Sequence, residues 1–132
     1  MLEADQSVQN GLADPEYRSR LLRREVLRQA VMTVIADNDL DALFYPHQRR
    51  LVAPIGEAQL ERNGVLSNST GFPAISFPGG FSAPTAAAPL GVPIGIELLG
   101  PRWSEPTLIR LANAFEQATR IRRPPASTPP LS

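Results

Sequence analysis

Apolar residues in the first third of the chain recur at three- and four-residue steps: Leu22, Val26, Leu27, Ala30, Val31 and Val34. That period places them on one broad stripe of a helix. Asp14-Pro15-Glu16 supplies its start, since Asp14 can cap free N–H groups, Pro15 suits the first helical position and Glu16 complements the dipole. The helix is expected to end near Asp37-Asn38-Asp39, where Asn38 tolerates the left-handed conformation of a C-terminal cap. Arg20, Arg23, Arg24 and Arg28 fall mostly off the stripe. Glu16 and Glu25 interrupt this cluster and no aromatics interleave for base stacking, so it reads as a solvated face rather than a phosphate-binding one.

The period then changes. Leu40 to Tyr45 reads as a short strand stopped by Pro46, and residues 46–66 mix Pro, Gly and charge as a loop with at most one helical turn. Ala74-Ile75-Ser76-Phe77 is a second strand closed by Pro78-Gly79-Gly80. A connector of small residues over 82–91 leads to a third strand, Val92 to Leu99, with Ile94, Ile96 and Leu98 on one face and Gly95, Glu97 and Leu99 on the other. Ser104 can cap a second helix, Glu105 and Pro106 suit its first turn, and Leu108, Leu111, Ala112, Phe115 and Ala118 form its apolar face. Residues 1–13 read as a flexible lead-in, 14–121 as the folded segment, and 122–132 as an extended, Pro-rich tail. The order helix, strand, strand, strand, helix predicts an α/β fold, a mixed sheet with helices packed on it.

Composition narrows the chemistry. A chain of 132 residues suits one compact domain. Thirteen basic residues balance thirteen acidic ones, which leaves no net field to draw in nucleic acid or an anionic membrane. All of the basic residues are Arg, so no lysine is present to serve as base, Schiff-base former or phosphate ligand. Without cysteine, disulfides, thiolate nucleophiles and Cys-ligated metal are excluded. With one His, a multi-His metal site needs more than one copy of the chain. No metal or cofactor is expected. The first ten residues lack the basic start and apolar run of a signal peptide, and no apolar run reaches membrane-spanning length, which makes a cytoplasmic protein the expectation.

Serine and threonine are the remaining nucleophile types. A Ser–His–acid catalyst needs a base within hydrogen-bond reach of the hydroxyl. His47 is the one candidate, and it follows Pro46 in a loop. No G-x-S-x-G turn is present, and Ser76 sits inside a strand. Thr70-Gly71 and Pro78-Gly79-Gly80 have neither the spacing nor the lysine of a phosphate loop. The carboxylate pairs Asp37/Asp39 and Glu57/Glu61 have ordinary surface spacings. No complete active site emerges from these residues.

Four segments in order nevertheless carry a resemblance. The run Asn68-Ser-Thr-Gly71-Phe-Pro73-Ala74-Ile75-Ser76-Phe-Pro78-Gly-Gly80-Phe81 is similar to the N-x-x-G-x-P-A-I-S-x-P-x-G-F pattern of amidase-signature enzymes. Gly91-Val-Pro93-Ile-Gly95-Ile-Glu-Leu-Leu-Gly100-Pro101 resembles their G-x-P-x-G-x-x-L-x-G segment, and the stretch from Glu105 to Glu116 resembles their final helix. Upstream, Asp41-Ala-Leu-Phe-Tyr45-Pro46 resembles their D-A-L-x-x-P strand and turn. The resemblance runs from about Pro15 to Pro125 and implies the C-terminal part of a larger α/β fold built on a mixed sheet.

That resemblance implies carboxamide hydrolysis by the complete enzyme, through a Lys and two Ser residues contributed by an N-terminal half. None of the three has a counterpart in this sequence, so no catalytic residue is assigned. Pro46 and His47 are the substrate-pocket candidates, because the corresponding loop borders the pocket in such enzymes; a surface-loop role is the simpler reading of His47. Asn68, Thr70 and Gly71 are expected to shape the turn into the following strand through local side-chain-to-backbone bonds. The expected partners are an N-terminal amidase half, or further copies of this chain meeting at exposed strand edges. A small amide substrate belongs only to a complete enzyme, and no nucleic acid or membrane is expected. The alternatives are a non-enzymatic accessory domain derived from an amidase, and an independent small hydrolase using His47.

Overall fold

A computed structural model describes residues 11–124 of the chain. A single 3-10 turn, Gly11–Ala13, leads into helix α1, Pro15–Asp37. Asp14 caps it as anticipated, its carboxylate accepting the Glu16 N–H at 2.8 Å. At the other end Asn38 is not left-handed; that conformation falls to Asp39 at φ 50°. Asn38 instead donates from its side chain to the Val34 carbonyl, so the amide closes the last turn without the backbone flip. Strand β1 is Leu43–Pro46, the short helix α2 is Val65–Thr70, strands β2 and β3 are Ala74–Phe81 and Pro93–Leu99, and helix α3 is Glu105–Thr119. No helix among the described residues is long and apolar enough to cross a membrane.

The three strands form one sheet in the order β1-β3-β2. Both pairings are antiparallel, so within this chain the sheet is not mixed. Strand β1 begins at Leu43 rather than Leu40 and β3 at Pro93 rather than Val92, and two further strand ends differ from expectation. Pro46 lies inside β1, opposite Ile96, because β1 is an edge strand and Pro there sacrifices no ladder hydrogen bond. The Pro78-Gly79-Gly80 run does not close β2. The strand continues to Phe81 through a bulge at Gly79, whose neighbours pair with Gly95 and Ile94. A Cβ on Gly79 would collide with the Ile96 side chain, so only glycine fits this bulge.

The two faces of the sheet are covered unequally. Ile96, Leu98 and Phe77 meet Leu108 and Ala112 of α3 on one face. Phe44, Phe77 and Phe115 add a tilted aromatic trio, with centroids 5.2 to 6.3 Å apart. On the opposite face Leu99, fully buried, packs with Phe72 and with Val31 and Ile35 of α1. Helix α1 covers that face only at its Leu99 end. The buried side of α1 is the Val31/Ile35 edge, and most of the expected stripe faces outward: Leu22 and Val26 are 69% and 70% exposed. Arg24 and Arg28 likewise depart from the solvated reading. They reach across to α2 and donate to the carbonyls of Asn68, Ser69 and Thr70. Ser104 precedes α3 but makes no capping bond, and its hydroxyl is buried without a partner beside Gly100. The lead-in over 1–10 and the tail over 125–132 lie outside the described residues.

Candidate functional site

Alternation along β3 decides what the uncovered half of the sheet presents. Gly95 and Glu97 point to the same side as Leu99, and beyond Leu99 no helix among the described residues covers them. Antiparallel register sets Tyr45 of β1 and Ser76 of β2 directly opposite Glu97, one on each flank. Glu97 is 4% exposed. A carboxylate buried to that degree needs partners, and three converge on it. The Tyr45 hydroxyl donates to Oε1 at 2.5 Å, the Ser76 hydroxyl reaches Oε2 at 3.5 Å, and His47 Nε2 stands 3.6 Å from Oε2. Burial, and then the hydrogen bond and charge of Glu97, raise the Tyr45 phenol well above its ordinary pKa.

His47 follows β1 directly, and its N–H donates to the Gly95 carbonyl at 3.0 Å, extending the ladder by one bond. The imidazole lies against Gly64, where a Cβ would approach Nε2 to 2.6 Å. From here the chain makes an excursion and returns. Its base is tied by the Gln48–Arg62 bridge, the Arg49 N–H to the Glu61 carbonyl, and Asn63, which donates to both Pro46 and His47 carbonyls at 2.8 Å. Midway, Gln59 makes two bonds with the backbone of Ala53. Between this excursion and the open end of the sheet lies a cavity of about 600 Å³, within the range of small-molecule sites. Pro46, His47, Ser76 and Gly95 line the sheet side, and Arg49, Arg50, Leu51 and Val52 line the excursion side.

Pro46 and His47, named from the sequence, therefore both border this cavity. Asn68, Thr70 and Gly71 lie apart from it, at the C-terminal end of α2 and just beyond. Gly71 takes φ 71°, and the Thr70 hydroxyl donates to the Leu66 carbonyl while accepting the Phe72 N–H. Within the cavity the Ser76 hydroxyl is directed at Glu97, and His47 faces the same carboxylate rather than the Ser76 hydroxyl. Among the described residues no three His, Asp or Glu side chains come together as a metal site. Sequence reasoning missed Glu97, Tyr45 and Ser76 as a cluster. A lone charge inside the apolar run Ile94–Leu99 was the available signal, since such a charge demands a partner.

No family model matches the chain. Over 88% of its length it is 34% identical to a probable amidase of Arabidopsis thaliana, of which it spans 19%. It is 30% identical to a glutamyl-tRNA(Gln) amidotransferase subunit of Streptococcus pneumoniae, covering 86% of this chain and 23% of that one. Among solved structures, the native peptide amidase of Stenotrophomonas maltophilia superposes with a TM-score of 0.74 at 34% identity, over 94% of this chain and 24% of that enzyme. The chain thus spans about a fifth to a quarter of the length of these three proteins.

Proposed function

Taking as premise that this chain belongs to the amidases and corresponds to a C-terminal portion of their fold, we propose that it serves carboxamide hydrolysis as one wall of the substrate pocket. The remaining portion of an amidase-signature enzyme, on the same polypeptide or another, brings the nucleophile and its base. Within that arrangement the Glu97 cluster fixes the sheet side of the pocket, and Pro46 and His47 form part of its border. We place the protein in the cytoplasm, where a chain without cysteine has no need of an oxidising compartment.

One observation carries the reading. Among the described residues sixteen large hydrophobic side chains are exposed against eight buried apolar ones, and the exposed set includes the outer stripe of α1 and Phe44 on the edge strand. A domain that completes its own core does not leave such surface bare. The complementary surface is the rest of the amidase fold, three-quarters or more of the matched proteins. Mixing the purified chain with an N-terminal amidase portion is expected to give a co-eluting complex that hydrolyses simple carboxamides, with neither part active alone. Hydrolysis by the purified chain by itself, or a monodisperse monomer that ignores the other portion, would overturn the proposal.

A further inference from the structure

The excursion wall of the cavity carries two adjacent guanidinium groups and one carboxylate to balance them. Arg49 and Arg50 both approach Glu61, at 4.0 and 3.5 Å, and both through Nε. Two cations against one anion leave a net positive charge at that wall. Neither guanidinium donates a side-chain hydrogen bond among the described residues. The terminal nitrogens thus keep their donors, in the planar geometry that matches a carboxylate with two parallel bonds. The sheet wall has the opposite character. Glu97 lies behind Ser76 and His47, and its buried charge disfavours an anion seated deep against the sheet. Pro46 and Ile94 on the sheet side and Leu51 and Val52 on the excursion side offer apolar surface.

We propose that this cavity selects amides that also carry a carboxylate. The carboxylate is held at the mouth by Arg49 and Arg50, a short apolar spacer lies along Leu51 and Val52, and the amide group points toward His47 and Ser76. The proposal rests on the reading of this cavity as part of a substrate pocket and adds the substrate class to it. Both arginines are about two-thirds exposed, so the attraction is partly screened and the selectivity is modest and salt-dependent.

The chain holds a single histidine, so the His47 imidazole protons give an isolated NMR signal inside the cavity. Titrating the full chain with glutaric acid monoamide, pentanamide and 5-aminopentanamide compares an anionic, a neutral and a cationic amide of equal spacer length. The monoamide is expected to move the His47 resonance at a concentration roughly three- to tenfold below that needed for pentanamide, with the cationic amide weakest. That advantage should vanish in the Arg49→Gln/Arg50→Gln double variant and in high salt. Glu61→Gln, which frees both guanidinium groups, should enlarge it. Equal response to the monoamide and pentanamide, or an advantage that survives the double variant, overturns the substrate class while leaving the pocket in place. A His47 signal that none of the three amides moves overturns both readings.

Discussion

Glu97 illustrates how much one buried charge organises around itself. Its carboxylate is removed from water between two strands, and the cost is offset by the Tyr45 and Ser76 hydroxyls on its flanks and by His47. Deleting the Tyr45 hydroxyl leaves that carboxylate under-satisfied, so Tyr45→Phe should cost about 1–3 kcal/mol in chemical denaturation at neutral pH. The pH dependence follows from the raised phenol pKa. Up to the ordinary value of 10.0 both the folded and the unfolded chain keep the Tyr45 proton, and its contribution is fully present. Above that pH the unfolded chain releases the proton and the folded one retains it, so stability should fall as pH rises further. The denaturation midpoint measured across the alkaline range should show this decline in the parent chain and a weaker one in Tyr45→Phe.

At the scale of elements, the short helix α2 depends on a neighbour to exist. Six residues are too few to hold a helix in water by themselves. Its last carbonyls are taken by Arg24, which donates to Asn68 and Ser69, and by Arg28, which donates to Thr70 at 2.9 Å. Two guanidinium groups also place positive charge at the negative end of the helix dipole. Arg28→Gln should therefore cost about 1–2 kcal/mol, read as a shift in the urea midpoint. Arg28→Lys should recover only part of this, since a point charge cannot reproduce the directed Nε donor. The expectation of a solvated arginine face holds for Arg20 and Arg23 and missed the bonds of Arg24 and Arg28 for a physical reason. Helical period says which residues share a side of α1, and not whether a carbonyl-rich helix end will be docked there from 42 residues downstream. Ser104 is the converse case, a residue with capping chemistry whose hydroxyl is turned inward against Gly100.

Over the whole molecule, the imbalance between buried and exposed hydrophobics is the dominant feature. Leu22 and Val26 lie on the outward side of α1 and contribute nothing to either core cluster. Leu22→Glu/Val26→Glu should leave the stability of the isolated chain within about 0.5 kcal/mol of the parent. The same pair should weaken self-association in light scattering and capture of an N-terminal amidase portion. A parent-like complex with the double variant would show that the outer stripe of α1 is not the surface that the proposed N-terminal portion would cover.

What the linear order of residues determined by itself was the three strands, the two long helices and the kinship, whereas the short helix Val65–Thr70 was not foreseen. Alternation in Ile94–Leu99, the Asp14-Pro15 helix start and the apolar steps of Leu108, Ala112 and Phe115 are local, and local patterns need only the chain. The missing Lys was legible for the same reason, since a residue type is either present or not; that no serine here matches the two catalytic ones followed from the family pattern. The cavity was half legible: Pro46 and His47 followed from a family pattern, whereas Glu97, Tyr45 and Ser76 came together only through the β1-β3-β2 register. Tertiary structure alone decided that register, the Gly79 bulge, the reach of Arg24 and Arg28, and which side of α1 is buried. Each depends on contacts between residues distant in sequence, whose free energies exist only once the strands have paired and a helix has chosen its face.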